Sequence, residues 1–213
     1  MNNKLIAKSF LWMFVGLLIT FATGVVVASN ERMLTTVFSG WTYIILAIIE
    51  IAVVIYLSAR VLKMSKTSAR IWFMIYAFIS GLTFSSVFVA YEVTSVIYVF
   101  LIAAVLFGVF GLIGYKTKLD LTKIGTYLMM ALFAVILCMI VNMFVGSSTF
   151  DLVLSIICVL LFLGITAYDI QKIKKLSDSN LPVDSLAIIG ALELYLDFIN
   201  IFLHLLSIFG DAD

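Results

Sequence analysis

The chain contains few of the residues that metal enzymes and disulfide-bonded proteins need. Its 213 residues include one histidine, His204, two cysteines and one proline. A single histidine and two isolated thiols cannot supply the ligand set of a zinc enzyme, so we predict no enzyme and no cofactor. Cys138 and Cys158 lie in apolar segments without CxxC spacing, and we expect both to be small core residues.

Charge is scarce as well. Only 12% of residues are charged while 64% are hydrophobic, and the mean hydropathy is +1.24. This balance is far from that of a soluble domain and indicates an integral membrane protein. Because no low-complexity tract or polar linker interrupts the chain, we expect one transmembrane domain over residues 1–213. No Gly-rich phosphate loop is present, and we expect the lipid bilayer rather than nucleic acid as the partner.

Seven apolar runs are long enough, at about twenty residues, to cross a bilayer. They predict an all-α integral membrane fold with seven transmembrane helices. The predicted spans are Phe10 to Ala28, Trp41 to Leu62, Ile71 to Ala90, Ser95 to Tyr115, Ile124 to Val145, Leu152 to Tyr168 and Leu186 to Phe209. The first is too long for the core of a secretory signal, which has about 7–15 residues, so we interpret it as a helix.

Basic residues predict the orientation, because Lys and Arg accumulate in short cytoplasmic loops. Twelve of the thirteen lie before the first span or around the second, fourth and sixth loops, and only Arg32 falls on the other side. The N-terminus is therefore expected in the cytoplasm and the C-terminus outside, in the plasma membrane of the cell. The seventh span would begin just after Pro182, which suits a first helical turn.

The seventh span carries a polar stripe. Glu193, Asp197, Asn200 and His204 follow one another at steps of four, three and four, so they share one helix face. Each charge within a membrane costs about 2.5–3.5 kcal/mol even on an insertion scale, so such residues usually line a bundle interior or a watery path. Glu193 could pair with Asp197 or bond to a neighbouring helix, and His204 could be a core residue, a relay or a ligand.

Two further charged residues lie in the second span. Glu50 is near its middle, so it must be protonated, paired or facing water, and it is a candidate for lining a polar pathway. Arg60 is near its cytoplasmic end. There its side chain could reach the interface and set topology, or it could form a salt bridge with a carboxylate.

Three runs resemble a known family. The runs Gly164 to Lys174 (GITAYDIQKIK), Leu194 to Phe202 (LYLDFINIF) and Tyr115 to Thr122 (YKTKLDLT) are similar to signatures of the transmembrane Bax inhibitor motif family, in its bacterial branch. The resemblance implies six helices around a central seventh, and a membrane calcium leak whose gate responds to pH. The paired aspartates of the family match Asp169 and Asp197, and Arg60 is the nearest match to a basic latch.

The physics of an aspartate pair fits such a gate. Two ionised carboxylates about 4 Å apart repel by about 4 kcal/mol at an effective dielectric near 20, so the pair shares a proton and titrates as a unit. When deprotonated, Asp169 and Asp197 would offer hard oxygen ligands to calcium. Asp169 is expected at the end of the sixth span, which separates it from Asp197 in depth by about 13 Å unless tilt or a vestibule closes the gap.

Three functions remain open at this stage. The first is a pH-sensitive calcium leak, with calcium and protons as the partners. The second is a non-conducting protein that regulates another membrane protein, such as a quality-control protease. The third is a proton-coupled calcium exchanger. The polar stripe favours the first and the third, because both need protonatable carboxylates in a pathway.

Overall fold

The computed structural model describes residues 4–177 and 183–211. Within these ranges the chain forms nine α-helices and one 3-10 helix, and no β-strand. The α-helices are α1 (Lys4–Ala28), α2 (Glu31–Phe38), α3 (Thr42–Arg60), α4 (Lys66–Phe84), α5 (Val87–Ala90), α6 (Val93–Lys116), α7 (Thr122–Val145), α8 (Ser148–Leu176) and α9 (Val183–Phe209), and the 3-10 helix is Val61–Lys63.

The prediction of seven membrane-spanning helices is confirmed. In the part of the chain that the structure describes, seven helical segments are long and apolar enough to cross a bilayer, counting α3 with the 3-10 helix and α4 with α5. Each coincides with one predicted apolar run. The protein is therefore a multi-pass, all-α membrane protein.

The predicted end of the sixth span is wrong. Helix α8 does not stop at Tyr168 but continues for two more turns to Leu176, so Asp169 lies inside the helix. Hydropathy ends a span where charge begins, whereas a helix can continue beyond the apolar core wherever its polar side chains find partners. Lys174 and Lys175 in the last turn also suit the negative end of the helix dipole. Helix α9 begins at Val183, and Pro182 lies outside the described residues.

Helix α2 was not expected. Asn30 caps it by accepting a hydrogen bond from the amide of Met33, and Glu31 in its first turn suits the positive end of the dipole. Its eight residues are too few to span a bilayer. Their apolar members, Met33, Leu34, Val37 and Phe38, fall on one face, as in helices that lie in a membrane interface.

The chain divides into two compact units, which are described separately. The first contains α1 to α5 and α9 up to Tyr195. Its α1 and α4 approach closely because glycines replace larger side chains: a methyl group at Gly16 would lie 2.7 Å from the ring of Phe73, and one at Gly81 would lie 2.5 Å from Thr23. Whether the chain folds as the single domain expected above stays a prediction.

The second unit contains α6, α7, α8 and α9 from Leu196 to Asp211. Phenylalanines join α6 to α9: the ring centroids of Phe100 and Phe198 are 5.2 Å apart, and those of Phe107 and Phe198 are 5.6 Å apart. Cys158 is buried as expected, but Cys138 is exposed, so its predicted core position is wrong. It lies on α7, the least buried of the seven spans, whose apolar side chains suit contact with lipid.

Helix α9 contributes to both units and is the most buried span. In the most apolar stretch of α9, 67% of the residues are buried, whereas in the corresponding stretch of α7 only 11% are buried. Such burial suits a helix with polar residues that lipid would not solvate. The arrangement of six helices around α9 stays a prediction.

Candidate functional site

The two aspartates of the predicted pair are both buried. Asp169 on α8 is 7% exposed and Asp197 on α9 is 3% exposed, and both belong to the second unit. Each takes part in an interaction within the described structure. Burial of a carboxyl group requires such compensation, because the desolvation of an unpaired charge is very unfavourable.

Glycines of α6 and α7 fix the turn of α8 that carries Asp169. Gly114 lies directly against the backbone of Ala167, and a methyl group at Gly111 would lie 2.7 Å from the side chain of Ile170. At Gly125 on α7 it would lie 2.5 Å from the ring of Tyr168. Side chains larger than hydrogen would keep these helices apart, so the small residues set the position of the Asp169 turn.

The continuation of α8 beyond its apolar segment binds the loop between α6 and α7. The Gln171 side-chain amide donates to the carbonyl of Leu119 at 2.7 Å, and its oxygen accepts from the amide of Leu121 at 2.9 Å. Lys174 donates to the carbonyl of Tyr115 at 2.7 Å. These bonds satisfy loop backbone groups that would otherwise need water, and they explain why α8 extends past its apolar segment.

Asp120 in this loop pairs with Lys175, Nζ to Oδ1, at 2.5 Å. The hydrogen bond from Lys175, together with those from Thr122, holds the pKa of Asp120 well below its usual range. A carboxyl group with a lowered folded-state pKa stabilises the fold above its unfolded pKa of about 3.9, and the contribution is lost as the pH falls through the folded value. Asp120 therefore stays ionised throughout the physiological range.

We expect Asp120→Asn to lower stability by the same small amount at pH 5 and at pH 8, because the removed ion pair is complete at both values and is exposed to solvent. The measurement is the thermal unfolding midpoint of the purified protein and of the variant at the two pH values. A difference between them that shrinks between pH 8 and pH 5 would contradict the assignment.

Further polar groups of the second unit lie near the C-terminal half of α9. His204 Nδ1 is 3.4 Å from the hydroxyl of Ser155 on α8, which is 3.4 Å from the hydroxyl of Ser207. One turn further, Asp211 Oδ2 accepts a hydrogen bond of 3.3 Å from Ser95. Asn200 instead donates to the carbonyl of Leu196 in its own helix at 2.7 Å. The predicted stripe thus continues as a row of hydroxyl and imidazole groups.

Glu50, in the first unit, is paired. It accepts hydrogen bonds from the hydroxyls of Ser80 at 2.5 Å and Thr83 at 2.9 Å, both on α4. The hydroxyls of Ser80 and Thr83 were not foreseen as partners of Glu50, and its place in a polar pathway stays a prediction.

Tyr195 of α9 is hydrogen-bonded separately to α1, where its hydroxyl lies 2.7 Å from Thr20 Oγ1. Thr20 also donates to the carbonyl of Ala77 at 2.9 Å. We expect Ser80→Ala to destabilise the protein by about 1–3 kcal/mol, because it removes one of the two hydroxyl donors in the network around Glu50. Chemical denaturation checks this, with Ser29→Ala as control, since Ser29 is exposed and donates only to Val25 one turn earlier. Equal stability of the two variants would contradict the network.

Two further candidate residues, Arg60 and Glu193, lie on α3 and α9. Arg60 is exposed in the last turn of α3 and pairs with no carboxylate of the described residues, which fits a side chain at the interface; its role as a latch stays a prediction. Glu193 is half-buried on α9 and has an interaction partner. Its pairing with Asp197 stays a prediction.

One charged cluster was missed. Asp184 in the first turn of α9 pairs with Lys8 of α1 at 2.8 Å and with Arg70 of α4 at 3.4 Å. The guanidinium of Arg70 also lies 5.2 Å above the ring of Trp12. Basic residues on two predicted cytoplasmic helix ends, with one acidic residue on a third, are a weak signal for such a cluster. It fixes the start of α9 within the first unit.

Comparison with known proteins places the chain in a family. The family model described as "Inhibitor of apoptosis-promoting Bax1" matches residues 2–213. The chain is 40% identical to the inner membrane protein YbhL of Escherichia coli K12, an alignment that covers 96% of this chain and 90% of that protein. It is 37% identical to an uncharacterized protein of Borreliella burgdorferi, over 98% of this chain and 92% of the relative.

A third relative, an uncharacterized protein of Deinococcus radiodurans, is 39% identical over 97% of this chain and 90% of its own length. These matches are nearly full-length, so they include every span, among them the helices α8 and α9 that carry the two buried aspartates. The resemblance of the three motif runs is thereby confirmed. The chain belongs to the Bax inhibitor family of membrane proteins.

Proposed function

We propose that the protein is a pH-sensitive calcium leak of the cell membrane, gated by Asp169 and Asp197 as a proton-sharing pair. The observation that carries the proposal is the burial of both carboxyl groups, on α8 and α9, within the same unit of a seven-span protein. Ionisable groups at such depth are costly and are characteristic of ion and proton pathways.

The gate would work by electrostatics. With one proton between them, the two carboxyl groups can share a hydrogen bond, which holds α8 and α9 together at this point and favours the closed state. When the proton leaves, the two charges repel each other, and their oxygens become suitable ligands for a calcium ion in transit. Acid would therefore close the path and alkaline conditions would open it.

Polar groups beyond Asp197 support a route along α9. His204, Ser155 and Ser207 form a row toward the C-terminal end of that helix. Asp211 and Ser95 follow at the end of the same unit. A hydrated cation passing an otherwise apolar bundle needs hydroxyl, imidazole or carboxylate groups of this kind to replace part of its water shell.

We infer a cytoplasmic N-terminus and an external C-terminus, because the basic residues lie almost entirely at one set of helix ends. The bilayer is inferred to be the cell membrane, in line with the name of the Escherichia coli relative, an inner membrane protein. A labelling test with an impermeant thiol reagent on single cysteines placed at Lys118 and Glu92 would check this orientation.

The function is tested by calcium flux into liposomes that contain the purified protein and a calcium-sensitive dye. Flux down a calcium gradient that increases from pH 6 to pH 8, with equal pH on both sides, is the expected result. Flux that needs an imposed proton gradient would instead indicate an exchanger. Absence of calcium flux under all conditions would contradict the proposal and favour a non-conducting role, to be sought by co-purification with a membrane protein.

A further inference from the structure

Arg32 is the basic residue that the orientation of the chain does not explain. It lies in α2, beyond the end of α1 opposite to Lys8, where the positive-inside distribution predicts no basic residue. Its side chain is exposed, and within residues 4–177 and 183–211 no carboxylate pairs with it. The adjacent Glu31 projects about 100° away around the helix and does not face it.

A groove of about 880 Å³ adjoins Arg32, formed by α1, α2 and α4 of the first unit. Its volume is within the range of about 300–1,000 Å³ that ligand sites commonly have. The apolar part of its lining is formed by Val26, Val27, Met33, Val37, Phe78 and Leu82. Asn30, Arg32 and Thr36 add the polar part, so the lining is amphipathic with one positive charge.

The chemistry of the groove is that of an amphiphile with an anionic head. An arginine guanidinium binds phosphate oxygens through two parallel hydrogen bonds, and it does so better than the point charge of a lysine. Because α2 has one apolar face, it suits the level of the lipid headgroups, which brings Arg32 to the depth of a phosphate. Phe78 and Leu82 on α4 suit a hydrocarbon chain.

We propose that this groove binds an anionic phospholipid, with its phosphate on Arg32 and an acyl chain along Phe78 and Leu82. The charge of Arg32 favours an anionic over a zwitterionic headgroup, since a choline group would bring a second positive charge beside the guanidinium. The site involves neither Asp169 nor Asp197, so it is independent of the proposed calcium path.

The test measures lipid binding to the purified full chain in a neutral detergent by native mass spectrometry. Phosphatidylglycerol and phosphatidylcholine are titrated separately, and inorganic phosphate is added in competition with phosphatidylglycerol. We expect phosphatidylglycerol to bind about tenfold more tightly than phosphatidylcholine, as one charge-assisted contact allows. Arg32→Gln should remove this preference, whereas Lys63→Gln, which removes an exposed charge at the other end of the same unit, should retain it.

A second variant tests the apolar part of the groove. Leu82→Trp adds volume where the acyl chain would lie. It should weaken the binding of both lipids by a similar factor and leave the preference for an anionic headgroup unchanged. Equal binding of the two lipids to the unchanged protein would overturn the proposal. So would an Arg32→Gln variant that keeps the preference, or inorganic phosphate that competes fully with phosphatidylglycerol, which would assign the site to free phosphate.

Discussion

Asp197→Asn is expected to remove the pH dependence of calcium flux. A gate that opens on loss of one shared proton changes its open fraction by up to about tenfold per pH unit near its titration point, because one pKa unit corresponds to about 1.4 kcal/mol. An asparagine cannot exchange that proton, so the flux of the variant should change by less than about twofold between pH 6 and pH 8. The measurement is the initial rate of dye-reported calcium entry into liposomes at equal internal and external pH.

Asp169→Asn should have the same effect as Asp197→Asn, since removing either member leaves one carboxyl group without the charge that couples it to the other. The double variant should be no worse than either single one, because the two residues act as one titrating unit. Asp151→Asn is the matched control. It makes the same chemical change on α8, in the first turn of the helix and at an exposed position.

The fluxes of these variants distinguish a gating role of Asp169 and Asp197 from a structural role. If both single variants keep the pH response of the unchanged protein, the pair hypothesis is wrong even where calcium permeability itself is observed. If the control loses the response as well, the effect belongs to the surface charge at the start of α8 rather than to the buried pair. Thermal unfolding of each variant shows whether altered flux follows from an altered fold.

The spans could be predicted from the sequence because hydropathy is a property of each segment by itself. A run of about twenty apolar residues must be helical in lipid, since no other backbone conformation satisfies its own hydrogen bonds there. The end of α8 could not be predicted in this way. Its last two turns depend on Gln171 and Lys174 binding backbone carbonyls about fifty to sixty residues earlier in the chain, at Leu119 and Tyr115.

The candidate site, like the fold, contains features that could be predicted from the sequence and features that could not. Asp197 could be named from its position, because a carboxylate in an apolar segment is conspicuous by itself, whereas Asp169 could be named only from the family resemblance. The partners of Glu50 could not be named. In the sequence Ser80 is only a small residue next to Gly81, and the approach of α3 to α4 is what makes its hydroxyl a donor for Glu50. Gly81 does serve packing, against Thr23 of α1.

Gly114→Ala is expected to destabilise the protein strongly, through the closest helix approach described around Asp169. The added methyl group would point at the backbone of Ala167 on α8, at a separation that side chains do not tolerate. Backbone cannot rotate away as a flexible side chain can, so α6 and α8 must separate. Overpacking of this kind costs about 1–3 kcal/mol, which lowers an unfolding midpoint by about 3–10 °C in a chain of this size.

Gly108→Ala makes the same change two turns earlier on α6 and is the matched control. Beyond the neighbouring backbone of α6, no atom of the described residues lies within 4 Å of its added methyl group, so the substitution should be neutral, or stabilising by up to about 1 kcal/mol through helix propensity. The two variants differ only in what the methyl group meets. Differential scanning fluorimetry in one detergent gives both midpoints, and midpoints that agree within a degree would contradict the close approach.

The contact of Gly114 with Ala167 also has a consequence for the proposed gate. Ala167 precedes Asp169 by two residues, so a shift of α8 at Ala167 moves the buried carboxyl group with it. Under the proposed gate, Gly114→Ala should therefore also change the pH at which calcium flux is half-maximal, because the repulsion between two carboxylates depends on their separation. Gly108→Ala should leave that pH unchanged. A variant that loses stability but keeps the native pH response would show that the glycine serves packing alone.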